Sequence, residues 1–209
     1  MSEPNPSSPQ QPEQPSPSDA LTQQVHYSQI SARVPEDRNR GTFANYGVVL
    51  TGKQELVCDF LLRMVPPQLL AARVILPYSA LPALLHAMSE NLENYRNRFG
   101  TPAALPTPPP NVPQPKISEV YEQLKISDEV SVGAYANTMM ISHTPTEFCM
   151  DFILDLFPRP VVTQRIYMAA GQIPGLVNSL KRTLEQLQRP QPQPPPPDQP
   201  PAGDAQVKP

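Results

Sequence analysis

Residues 41–93 and 133–185 of this chain are one segment written twice, and that repetition limits the fold more than any other feature of the sequence. Sliding the chain on itself by 92 residues aligns the two stretches without a gap, so that "ELVCDF" at 55–60 falls on "EFCMDF" at 147–152. The matches include residue types that two amphipathic stretches would not share by accident: Gly41/Gly133, Asn45/Asn137, Glu55/Glu147, Asp59/Asp151, Pro66/Pro158, Arg73/Arg165 and Pro82/Pro174. Most other positions exchange apolar for apolar, the pattern of one small fold built twice.

Proline marks where the copies stop. Of the 31 prolines, six lie in residues 1–20, seven in 101–116 and nine in 190–209. Stretches such as "RPQPQPPPPDQPP" lack the apolar residues needed to offset chain entropy, and proline favours extended polyproline II. The expected organisation is a disordered tail (1–20), a first repeat (21–100), a linker (101–116), a second repeat (117–189) and a disordered tail (190–209).

Each repeat reads as β-β-β-α. Residues 43–51 and 135–143 are β-favouring and end in turn chemistry, 55–64 and 147–156 stop at proline clusters, and 69–76 and 161–168 are aliphatic with one central arginine. Then Leu81, Leu84, Leu85, Met88, Leu92 and Tyr95 recur at helical spacing, and Ile173, Leu176, Val177, Leu180, Leu184 and Leu187 reproduce it. Ser79 is a candidate N-cap and Gly100 is placed to end the first helix. The fold class is therefore α+β, an antiparallel meander plus an amphipathic helix, with the copies packed as a pseudo-dimer. A short element, "VHYSQIS" or "VYEQLKIS", precedes each copy.

The net charge of −3, with no stripe of Lys or Arg, argues against nucleic acid. No apolar run approaches the length of a membrane span, because the most apolar window is broken by Arg63, Arg73 and several prolines. The acidic, proline-rich start lacks the features of a signal peptide, so a cytoplasmic protein is expected. Cys58 and Cys149 are not equivalent positions and read as buried reduced thiols.

On a strand, Glu55 and Asp59 share one face, as do Glu147 and Asp151. Such pairs can do acid–base work, but the matching Arg73 and Arg165 on the third strand make cross-strand ion pairs the simpler reading. Asn45 and Asn137 are placed to cap an edge or bulge, or to contact a ligand. His26, His86 and His143 have no repeat equivalents, which argues against a duplicated metal site, and no nucleophile or phosphate-binding motif is present. No cofactor is expected.

The pattern G-x-[YF]-x-N, E-[FL]-x-x-D-F, P, R-[VI] and a helix ending in "ENLENYRNRFG" resembles the small bacterial family called domain of unknown function 3467. The resemblance covers residues 41–100 closely and 133–188 less so, since "KRTLEQLQRP" lacks the Tyr and Phe-Gly of the first ending. Members typically hold little more than one such unit, so the resemblance implies a tandem duplication and a bacterial source, with no activity attached.

Fold residues are duplicated here and reactive ones are not, which points to a non-catalytic protein-interaction module, a scaffold or adaptor that is monomeric or self-associates further. Chaperone-like capture of extended segments by strand addition is one alternative. An enzyme using Glu55, Asp59, Glu147 and Asp151 is the other.

Overall fold

The computed structural model describes residues 32–106, 113, 115–156 and 158–189. The expected tails, His26, the element at 25–31 and part of the linker lie outside these residues. In chain order, the first repeat runs from helical turn α1 (Glu36–Asn39) through strands β1 (Thr42–Ala44), β2 (Tyr46–Thr51), β3 (Glu55–Leu62) and β4 (Gln68–Pro77) to helix α2 (Leu81–Phe99). The second opens with α3 (Ile117–Glu122), β5 (Leu124–Lys125) and α4 (Asp128–Val132), followed by β6 (Ala134–Tyr135) and β7 (Thr138–His143). It closes with β8 (Glu147–Leu154), β9 (Val161–Ala169) and α5 (Ile173–Gln188).

The expected meanders are present. Strands β2, β3 and β4 pair antiparallel in sequence order, and so do β7, β8 and β9. Equivalent bulges interrupt both, between Phe60 and Leu61 and between Phe152 and Ile153. Each leaves one residue of the third strand, Ala71 or Thr163, without an opposite number. In the first sheet the bulge lets Leu70 face Leu61 and join Val48 and Val120 of α3 in a small outer core.

The inner faces of both meanders and the apolar stripes of α2 and α5 share one core. Phe60 and Phe152, which occupy the same position in their repeats, meet inside it with ring centroids 5.6 Å apart. The stripe predicted for α2 is buried throughout, from Leu81 to Tyr95. In α5 it holds as far as Leu180; Leu184 is half-buried, Leu187 is exposed, and Thr183 is buried with its hydroxyl donating to the Ser179 carbonyl at 3.0 Å. Each helix lies against the other repeat, α2 on β7 and α5 on β2. Gly47 allows this approach, since a Cβ there would lie 3.2 Å from Leu176 Cδ1. Ser79 does not cap α2: it sits in a 3-10 turn, Tyr78–Ala80, which delivers the chain into the helix through Ala80 with no side-chain cap.

The sequence reading of each repeat as β-β-β-α needs correction at its first strand. The run 43–51 is not one strand: it breaks at Asn45, so that β1 pairs in parallel with β9 of the second repeat while β2 stays in the first sheet. The second repeat does the converse, sending β5 and β6 to pair in parallel with β4. A further bridge, Arg33 to Val161, matches the pairing of Lys125 with Leu69. Each repeat therefore donates its N-terminal arm to the third strand of the other. The physical reason is the edge: a bare third strand would present a row of unpaired N–H and C=O groups, and the borrowed arm satisfies them.

Candidate functional site

Of the residues singled out in the sequence, Asp59, Arg73, Asp151 and Arg165 lie where the exchanged arms dock. Asp59 lies opposite Arg73 in the register of β3 and β4, and the guanidinium grips it with two bonds of 2.8 Å, from Nε and Nη2. Asp151 and Arg165 repeat the geometry with two bonds of 2.7 Å. Each arginine has a further Nη1 donor, which reaches into the arm of the other repeat. Arg73 donates to the Ser131 carbonyl in α4 at 3.2 Å, and Arg165 to the Asn39 carbonyl in α1 at 3.4 Å. The last carbonyls of a helix lack intrahelical partners and carry partial negative charge, so a cation is well placed there.

The repeated glycines complete this docking. Gly133 (φ 76°) passes over Arg73, where a Cβ would come within 2.9 Å of the arginine Cγ. Gly41 (φ 66°) passes over Arg165 and would clash with it and with the Tyr167 ring. Both the backbone conformation and the space exclude a side chain.

Asn45 and Asn137 sit at the point where the chain leaves one sheet for the other, and they fill the ladder there. Asn45 Oδ1 accepts from the Arg63 N–H at 2.8 Å, and its Nδ2 donates to the Arg63 carbonyl at 3.2 Å. Asn137 does the same to Asp155, at 2.8 and 3.1 Å. A side-chain amide thus imitates one residue of strand, which is why β3 and β8 end two residues earlier than their sequences suggest.

The carboxylate pairs of the sequence motif are split by their surroundings. Along β3, exposure rises from the closed-off Leu61 and Asp59 through half-buried Val57 to exposed Glu55, which accepts from the Gln54 N–H at 3.2 Å. Glu147 is likewise exposed and takes bonds from the Thr144 and Thr146 hydroxyls of its turn. Glu55 and Asp59 share one face of β3 but differ in exposure, because α3 and α4 cover only the Asp59 end of it. Among the described residues, no group of three His, Cys, Asp or Glu side chains is placed to hold a metal ion.

Tyr121 of α3 was not singled out in the sequence. Its hydroxyl donates to Asp59 Oδ2 and closes the carboxylate off completely. Burial and then the bond to Asp59 push the Tyr121 phenol above its ordinary range. The Asp59 bond raises Arg73 further into its charged state, and Asp151 does so for Arg165. Burial pushes the neighbouring Cys58 thiol up to about 12, with Asp59 adding to the effect. The repeat gave no signal for it, since the 92-residue offset places Gln29 opposite Tyr121, and only the tertiary fold supplies its partner.

What remains open is at the far edges. Among the described residues, β2 ends the first sheet and β7 the second. Their sequences, YGVVLT and TMMISH, hold no Lys, Arg, Asp, Glu or Pro, the residues that usually blunt an edge. Opposite pairs in an antiparallel ladder alternate between bonded and unbonded. The hairpin bond from the Gly52 N–H to the Glu55 carbonyl therefore leaves Gly47, Val49 and Thr51 facing outward. The Thr144 to Glu147 bond sets Met139, Ile141 and His143 the same way. Beside β2 runs a groove of about 380 Å³, between Ile117 and Val120 of α3 and Arg182, Thr183 and Gln186 of α5.

The profile of the family described as "Protein of unknown function (DUF3467)" matches the chain twice, over residues 1–103 and 107–190. Neither the curated proteins nor the solved structures contain a match to it. No helix among the described residues is long and apolar enough to cross a membrane.

Proposed function

We propose, for a chain that belongs to the DUF3467 family and carries its domain twice, that it is a non-catalytic protein-interaction module accepting extended segments along β2 and β7. One observation carries this reading: two sheet edges, one per repeat, with outward backbone groups and no charged or proline residue to repel an added strand. An incoming segment gains affinity from main-chain bonds that depend little on its sequence, and selectivity from alternate side chains. The repeats would act as a pseudo-dimer whose two-fold axis passes between Phe60 and Phe152, each presenting one edge. The cytoplasm suits two free cysteines, one of them fully buried.

Hydrogen exchange on the full chain tests this, with and without a permanently unfolded probe such as reduced, carboxymethylated α-lactalbumin. Protection is expected to rise at Gly47, Val49 and Thr51 and at Met139, Ile141 and His143. Val49→Pro with Ile141→Pro should abolish binding, since each proline removes an outward N–H while sparing the ladder. Binding that leaves those amides unchanged would refute the reading.

A further inference from the structure

The two edges are not equivalent, and we infer that the groove along β2 selects extended apolar segments carrying an acidic side chain in register with Arg182. The inference rests on the proposed strand addition and goes beyond it by assigning chemistry to one edge. The backbone of β2 offers the outward N–H and C=O of Gly47 and Val49, and a strand added there would run about 4.8 Å away. That position is the groove itself, whose volume of about 380 Å³ leaves room for a few extended residues. Its walls, Val48, Val120 and Ile117 on the α3 side, and Tyr46 at one end, suit apolar side chains.

Among the described residues, Arg182 is the one charged residue lining this groove. It is exposed, and among the described residues no carboxylate lies within 4 Å of it. The opposite repeat reverses the sign. The α2 residues equivalent to Ser179, Arg182, Thr183 and Gln186 are Ala87, Glu90, Asn91 and Asn94. Glu90 also faces His86 at 3.9 Å. Duplication has thus produced one edge with a cation beside it and one with an anion at the matching position, so the preference for acid belongs to β2 and not to β7.

The test uses the full chain and three labelled probes, acetyl-TVXVTV-amide with Glu, Gln or Lys at X, followed by fluorescence anisotropy. The Glu probe should bind about threefold to fivefold tighter than the Gln probe, the size expected of an exposed ion pair, and the Lys probe should bind weakest. Arg182→Glu should invert that order, and because Arg182 is exposed this variant keeps the fold even if Val49→Pro does not. Equal binding of all three probes, lost in Val49→Pro, would overturn the charge selection and leave strand addition standing. Failure of all three to bind, or binding indifferent to Val49→Pro in a folded variant, would overturn strand addition itself. A dimer in sedimentation that Val49→Pro dissolves would mean that the edge is taken by a second copy of the chain, which also refutes the inference.

Discussion

Asp59 and Asp151 hold equivalent positions in the two repeats and are gripped alike by Arg73 and Arg165, yet the first is sealed and the second is not. The Asp59 side chain has 0% exposure and bonds to Tyr121 as well as to Arg73, whereas Asp151 keeps 16%. A shared bidentate geometry therefore carries different energetic weight in the two repeats. A buried charge stripped of its partner is far more costly than a partly wet one.

The largest expected effect follows directly. Arg73→Ala should destabilise by about 3–5 kcal/mol, because it strands the sealed Asp59 carboxylate. Arg165→Ala, which leaves the partly exposed Asp151 unpaired, should cost about 1.5–3 kcal/mol by urea denaturation. Equal losses would dissolve the distinction between the sites. The double mutant cycle of Asp59 and Arg73 should be strongly non-additive.

Tyr121→Phe should cost about 1.5–3 kcal/mol at neutral pH. Its phenol is raised from the ordinary 10.0, so folding favours the neutral form. The stability it adds is fully present below pH 10 and is lost as pH rises toward the folded value. The wild type should thus weaken more steeply above pH 10 than Tyr121→Phe does, as thermal melts against pH would reveal.

The glycines sharpen the comparison from the other side. Gly133→Ala and Gly41→Ala should each cost about 1–3 kcal/mol for the left-handed backbone. Gly41 should be the worse, because its new methyl meets the Tyr167 ring as well as Arg165. Equal losses would mean that backbone strain alone governs both.

The smallest difference is expected at the asparagines. Asn45→Ala and Asn137→Ala each remove two bonds of nearly identical length, so their losses should agree within about 0.5 kcal/mol. A larger gap would show that the strand crossings differ in ways the hydrogen bonds do not capture.

Much of this was legible in the sequence, because it is local. The meanders, their register at Asp59/Arg73 and Asp151/Arg165, and the α2 stripe follow from periodicity and from an exact repeat of rare residues. The arm exchange was not legible, since a strand of three residues such as β1 reads the same whichever sheet it joins. Only the break at Asn45 hinted at it, and an asparagine inside a β-favouring run has several meanings until the backbone it bonds to is known. The same limit hid Tyr121, which lies 62 residues from the carboxylate it closes off.

Exchange of arms also sets a clock on synthesis. The third strand of the first repeat ends at Pro77, but the segment that completes its sheet, β5 to β6, ends at Tyr135. At about 5–20 residues per second, the nascent chain must wait roughly 3–12 s with that strand uncovered. During that interval an emerging first repeat has the same unmet need as any isolated copy, and a neighbouring nascent chain on the same message could supply the missing arm. Intermolecular entanglement during translation is therefore the hazard built into this architecture, and joining the two copies in one polypeptide raises the local concentration of the correct arm against that of a stranger's.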